Sequence, residues 1–259
     1  MPRNTEKVLA TGSFPAAANT FSVFLGTAGL LATRGQICYG NLNVKLAGAY
    51  CGLSDSYDGA THHACEDLAA MRALPNMHVL VPADAVATQA LTRLMLDTQG
   101  PVYIRLSREA CPDVYSPQQA GSFQLGKGAV LREGSDVTVM ACGIMVSKAM
   151  EAAEQLAQEG ISVRAVDLYS IKPIDRELIL RCARETGAIV CAEEHSVIGG
   201  LGSAVAEVLA GENQLLPVAF VGVKDVFTES GNYDELLHKY GLDADAVVSA
   251  LRKVLAQKN

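Results

Sequence analysis

The stretch from Cys51 to Asp67, CGLSDSYDGATHHACED, gathers acids, hydroxyls and imidazoles into a polar loop between an apolar run and a helical one. In open α/β sheets, ligands bind outside the carboxyl ends of the strands, where such loops lie. Gly59-Ala60-Thr61 separates Asp58 from His62, so a turn can aim both side chains into one pocket. An aspartate can accept from a sugar hydroxyl, and a histidine can donate to a phosphate or an oxyanion. Taken alone, the same residues also suit an Asp-Gly turn, a helix capped by Thr61 and an exposed histidine.

Arg108, in the run IRLSRE, follows a candidate strand and faces the same rim. Its fork suits bidentate phosphate or carboxylate recognition, or equally a salt bridge to a neighbouring acid. Phe21 and Phe24, in TFSVF, form an aromatic pair fit either for core packing or for the wall of a flat ring. Glu193-Glu194-His195 before Gly199-Gly200-Leu201-Gly202 lacks dinucleotide spacing, and its acids favour a tight turn over an anion site. His62, His63 and Cys65 lack the other ligands of a closed zinc set, so this chain alone is expected to hold no metal. Walker A, Gly-x-Ser-x-Gly and Gly-Asp-Gly diphosphate boxes are missing from the sequence, which leaves any diphosphate anchor to another chain.

The elements that must position these residues read as alternating strands and helices. Asn43–Ala47, Met77–Val81 and Val102–Leu106 are expected as buried strands, with helices at Cys65–Leu74 and Ala83–Asp97. No strand is expected before Asn43, and Met1–Ala10 is polar and featureless. Residues 109–124 read as a Pro- and Gln-containing linker. A second α/β pattern follows, with strands at Val137–Ala141, Val163–Val166, Ala188–Ala192 and Val218–Val221. Its helices fall at Met145–Gln158, Asp175–Thr186, Gly199–Leu209 and Asp243–Ala256. The fold class is therefore α/β in two domains, each a mostly parallel sheet flanked by helices.

Composition narrows the class. The 259 residues carry 21 Lys+Arg against 28 Asp+Glu, a net charge of −7, so neither nucleic acid nor an anionic membrane is an expected partner. No apolar run reaches membrane-spanning length. Seven cysteines without a CxxC pair read as reduced thiols in a cytoplasmic protein.

In order and spacing, TFSVF, NLNVK, DGATH, EDLAAMRALPNM, VPAD, VYIRLSRE, DLYSIKPID and AEEHSVIGGLGSAV resemble the C-terminal half of transketolase. The resemblance implies a thiamine diphosphate-binding pyrimidine domain over residues 1–115, incomplete at its N-terminus. A linker at 116–124 and a transketolase C-terminal domain at 125–259 would follow. It implies transfer of a two-carbon ketol unit from a ketose phosphate to an aldose phosphate, together with an N-terminal subunit. That partner would hold the cofactor's diphosphate and Mg²⁺, in a homodimer or an α₂β₂ assembly. By resemblance, Phe21 and Phe24 pack on the cofactor's pyrimidine ring. Asp58 and His62 contact substrate and take part in catalysis, while Arg108 and Tyr50 contact the phosphosugar.

Three departures qualify the resemblance. The family's Ile-Ala-Glu-Gln-Asn box, whose Glu activates the cofactor, has no equivalent in Met1–Val8, and Glu6 does not match it. Leu25–Thr33 differs from the family's Arg-Ala-x-Asp-Gln-Ile run. Tyr50 and Tyr57 stand where the family has His and Glu, which points toward a non-standard sugar. The alternatives are a truncated or non-catalytic partner subunit, and a deoxyxylulose-phosphate synthase-like or 2-oxo-acid dehydrogenase β-like protein. The chain alone is expected to aggregate or form ill-defined oligomers.

Overall fold

Apolar runs buried on both faces are what parallel strands require, and ten strands form among the described residues. The computed structural model describes residues 15–258. They build two five-stranded sheets. The first has the order β1 (Ala16–Phe21), β2 (Val44–Ala49), β4 (Val102–Arg105), β3 (His78–Leu80), β8 (Ser170–Lys172), parallel except for β8 on β3. The second has the order β10 (Val218–Val223), β9 (Ile189–Ser196), β6 (Val137–Ala141), β7 (Val163–Asp167), β5 (Ala129–Arg132), parallel except for β5 on β7.

Alternation along the strands divides the interior into two apolar cores that run through both sheets. Ile104 of β4 joins Val137, Val139 and Ala141 of β6 in one core. This core is covered by α4 (Ala85–Asp97), α5 (Met145–Ala157), α8 (Tyr233–Lys239) and α9 (Ala244–Ala256). Tyr103 and Met140, each one step along its strand, fall in the other core under α3 (Asp67–Ala73), α6 (Arg176–Thr186) and α7 (Leu201–Gly211). Among the described residues no helix is long and apolar enough to cross a membrane.

Caps fix the helix ends. Asp84 accepts from Ala87 N at 2.7 Å to start α4, and its other oxygen accepts from Val114 N and Tyr115 N at 2.8 Å each. Asp175 and Asp243 cap α6 and α9 in the same manner. Lys172 closes α3, its Nζ donating to the carbonyls of Arg72 and Leu74 at 2.8 and 2.5 Å.

Several expectations are corrected. A strand does precede Asn43: β1 pairs with β2 from Ala16↔Val44 to Phe21↔Ala49, and its small, exposed residues carry no apolar signal. Thr61 does not cap α3, which begins only at Asp67; Thr61 ends a short 3₁₀ turn over Gly59–Thr61. Strands β5 and β8 and helix α8 were not expected, the first two being short edge strands. The stretch 109–124 packs closely, with Tyr115 and Phe123 buried and a 3₁₀ turn at Pro117–Gly121. Met1–Val8 and Glu6 lie outside the described residues.

Candidate functional site

Sheet order assembles the candidate site. Strands β1, β2 and β4 are adjacent and parallel, so their carboxyl ends open on one rim. Phe21 ends β1, and Phe24 lies one turn further in α1 (Ser22–Gly26), on the same helical face. Their rings stack with centroids 5.6 Å apart and an interplanar angle of 10°. Neither belongs to the core: Phe21 is half-buried and Phe24 is 42% exposed, so the pair presents an aromatic face to solvent.

Tyr50, directly after β2, lies against Phe21 at 4.6 Å, and its φ of 58° is strained for a non-glycine residue. His62 sets its ring edge-on to both phenylalanines, at 5.9 and 5.6 Å. Its Nδ1 shares a 3.0 Å hydrogen bond with Thr61 Oγ1. Arg108, three residues beyond β4, lays its guanidinium over the Tyr50 ring at 5.0 Å. Asp58 is exposed on the loop that carries His62, near enough to Arg108 to contribute to its raised pKa. Phe21, Phe24, Tyr50, Asp58, His62 and Arg108 thus fall on this rim, whereas Glu193 and Glu194 lie beneath it.

One participant was not foreseen. Asp55, fully buried, accepts from Arg108 Nη1 through Oδ1 at 2.6 Å. The salt bridge considered for Arg108 therefore exists, and this hydrogen bond holds the guanidinium above its ordinary pKa. Ser54 completes the clasp, its Oγ accepting from Arg108 N at 3.1 Å. The sequence LSDSYD offers three polar residues in a row, all of them buried, and nothing in its pattern says which one meets Arg108.

Backbone bonds shape the loop. Gly52 and Ala64 exchange N–H···O bonds at 3.0 Å, and Cys51 N donates to Leu106 O at 3.1 Å. Gly59 has φ of 73°, and a Cβ there would strike Ser230 Oγ, so glycine is required for the turn that carries Asp58 and His62.

Beneath the rim lies a buried ionic layer. Arg105 donates to Asp67 and, through Nη2, to the carbonyls of Ala64 and Glu194 at 2.9 Å each. Glu194 Oε1 accepts from Leu53 N at 2.9 Å and from the Tyr233 hydroxyl at 3.0 Å. Burial pushes the Glu194 carboxyl up to about 7, against the pull of Arg105. Glu193 settles the Gly-rich turn: its carboxylate accepts from Leu201 N at 2.7 Å and Gly202 N at 2.8 Å. The N-terminus of α7 is thus filled by the chain's own acid.

All seven cysteines are free thiols, and burial raises those at positions 51, 65, 142 and 191 well above ordinary values. Among the described residues, no group of three or more His, Cys, Asp or Glu side chains is placed to hold a metal ion.

Two α/β units thus carry an aromatic and cationic rim at the carboxyl ends of parallel strands, where open α/β sheets place their ligands. The chain belongs to the transketolase family and is a C-terminal section of a transketolase-type transferase. Residues 8–113 match the transketolase pyrimidine binding domain and residues 126–247 the transketolase C-terminal domain. It is 46% identical to the 6-deoxy-6-sulfo-D-fructose transketolase subunit of Clostridium sp., over 86% of this chain and 69% of that one. An apulose-4-phosphate transketolase subunit from Phocaeicola vulgatus is 41% identical, over 82% of this chain and 67% of its own length. Among solved structures, a split gene transketolase described as an inactive β4 tetramer superimposes with a TM-score of 0.91 at 50% identity. That match covers 100% of this chain and 84% of the other.

Proposed function

We propose that this chain is the pyrimidine- and sugar-binding half of a split thiamine diphosphate-dependent transketolase, active with an N-terminal subunit. The observation that carries this reading is the convergence of Phe21, Phe24 and His62 with Tyr50, Asp58 and Arg108 at the ends of three adjacent strands.

The stacked phenylalanines, Phe21 half-buried and Phe24 exposed, fit one face of an aminopyrimidine, as the cofactor requires. When bound, thiamine diphosphate supplies the electron sink for carbon–carbon bond cleavage. Phe21 and Phe24 hold its ring. His62, edge-on to them, is the group positioned to hydrogen-bond a substrate hydroxyl next to the reacting carbons, with Asp58 accepting from a second hydroxyl. Tyr50 and Arg108 receive the far end of the sugar and fix the pose in which the bond to be broken is aligned. Diphosphate and Mg²⁺ fall to the partner chain.

The pyrimidine domain occupies residues 1–115, with a connection at 116–124 and the C-terminal domain at 125–259. The assembly works in the cytoplasm, as a homodimer or an α₂β₂ complex. Alone, the chain self-associates without turnover, in keeping with the inactive β4 relative.

The test is reconstitution with a cognate N-terminal subunit, thiamine diphosphate and Mg²⁺. Ketol transfer at ordinary enzyme rates, on the order of 1–10³ s⁻¹, is expected, with His62→Ala lowering it. A complex that binds the cofactor yet transfers no ketol unit from any ketose would overturn the reading and leave the chain a non-catalytic subunit.

A further inference from the structure

The ion pair at the rim has consequences for substrate choice. Asp55 is completely withdrawn from solvent, whereas the Arg108 side chain is 44% exposed. Asp55 Oδ1 is taken by Arg108, and Oδ2 is buried with no hydrogen-bond partner among the described residues. A buried carboxylate with so few bonds depends on its counter-ion, because leaving it unpaired is far costlier than the pair itself is favourable. His63 does not supply a second positive charge, since burial lowers its pKa below the ordinary value.

Arg108 is also held from two other sides: Ser54 Oγ accepts from its backbone N–H, and the Tyr50 ring lies under its guanidinium plane. The arginine is therefore a committed partner of Asp55, and one of its two Nη groups is already engaged. Counting Asp55, Asp58 and Arg108, the formal charge at this end of the rim is −1. A dianionic phosphate entering there meets a neutralised arginine and an exposed carboxylate. A polyol end, in contrast, meets acceptors and donors suited to hydroxyls.

We propose that Asp55 is a specificity-determining residue that cancels the charge of Arg108, so that this chain selects sugars whose far end carries hydroxyls rather than phosphate. The inference rests on the assignment of Arg108 to the sugar's far end.

The test has two arms. In the first, the full chain is titrated with inorganic phosphate by calorimetry, native against Asp55→Asn, with Asp55→Ser as a second variant if thermal melting shows the first to be unfolded. Releasing Arg108 is expected to tighten phosphate binding about tenfold, and adding Arg108→Gln to remove the gain. A native chain that binds phosphate as tightly as the variant, or more tightly, overturns the proposal and makes Asp55 a residue that orients Arg108 toward phosphate. In the second arm, the reconstituted complex is given fructose and fructose 6-phosphate. The native protein is expected to favour fructose in kcat/KM, and Asp55→Asn to shift the ratio toward the phosphate ester. A native preference for the ester overturns the inference. Absence of ketol transfer from both sugars would instead count against the proposed reaction, while the phosphate titration still decides the role of Asp55.

Discussion

Arg105 Nε reaches both carboxylate oxygens of Asp67, at 3.1 and 2.8 Å, with both side chains out of solvent. Burial by itself would lower the pKa of this guanidinium, but Asp67 more than reverses that and leaves it well above its ordinary value. Tyr103 adds its hydroxyl to the same carboxylate at 2.6 Å. The layer therefore ties β4 to α3 and, through the Glu194 carbonyl, to β9.

Breaking that pair from one side should be severe. Asp67→Asn leaves the buried guanidinium without its counter-charge, and a loss of about 3–5 kcal/mol is expected. Urea unfolding measures it, and a loss under about 1 kcal/mol would show that the pair does not hold the layer together.

Glu194 gives stability a pH dependence of defined sign. Its folded pKa of about 7 lies above the ordinary 4.5, so its protonated form is the one the fold favours. This contribution is complete below about 4.5 and is lost as pH rises through about 7. Glu194→Gln keeps an oxygen for Leu53 N and the Tyr233 hydroxyl, both of which bond Oε1. Between pH 5 and pH 8 the native chain should lose on the order of 1–3 kcal/mol relative to the variant. Melting curves at the two pH values check it; parallel curves would refute it. Asp167, raised by burial to about 8, acts in the same direction in both proteins and cancels in the comparison.

Asp84 serves α4 and the segment after β4 at once. Asp84→Ala removes a helix cap and orphans three N–H groups, so about 2–4 kcal/mol of stability should go. Amide hydrogen exchange should localise the loosening to the start of α4 and to Val114–Tyr115. Protection unchanged at Tyr115 would mean that the segment is held by the burial of Tyr115 and Phe123 alone.

The phenylalanine pair offers a test of the proposed cofactor face. Phe24→Ala should lower stability by less than about 1 kcal/mol, because the side chain is 42% exposed. In the reconstituted complex it should weaken thiamine diphosphate binding about tenfold, as measured by calorimetry. Unchanged affinity for both Phe21→Ala and Phe24→Ala would remove this face from the cofactor site.

Long apolar strands and capped helices were legible in the sequence, because period and caps are local signals. VTVMA became β6, and Asp175 and Asp243 begin helices where expected. Strand β8 was not legible: Ser170–Lys172 is strand only because β3 offers it an edge, and that edge is remote in sequence. The same limit explains Asp67, which reads as an ordinary first-turn helix acid until Arg105 is brought beneath it. It also explains Asp55, whose inward turn depends on Arg108, 53 residues further along. Composition places residues in a loop, whereas only tertiary contact decides which of them is buried.

Strand β8 has one further consequence, for the order in which the protein can mature. The outer rim of the first sheet is completed by residues that leave the ribosome about 90 positions after the strand they pair with. Until then β3 offers an open row of amides and carbonyls, the kind of edge on which nascent chains stick to one another. Vectorial synthesis thus cannot finish the front half first and set it aside. A fragment cut at the connection would carry that raw edge permanently, so the two halves have to mature as a single object.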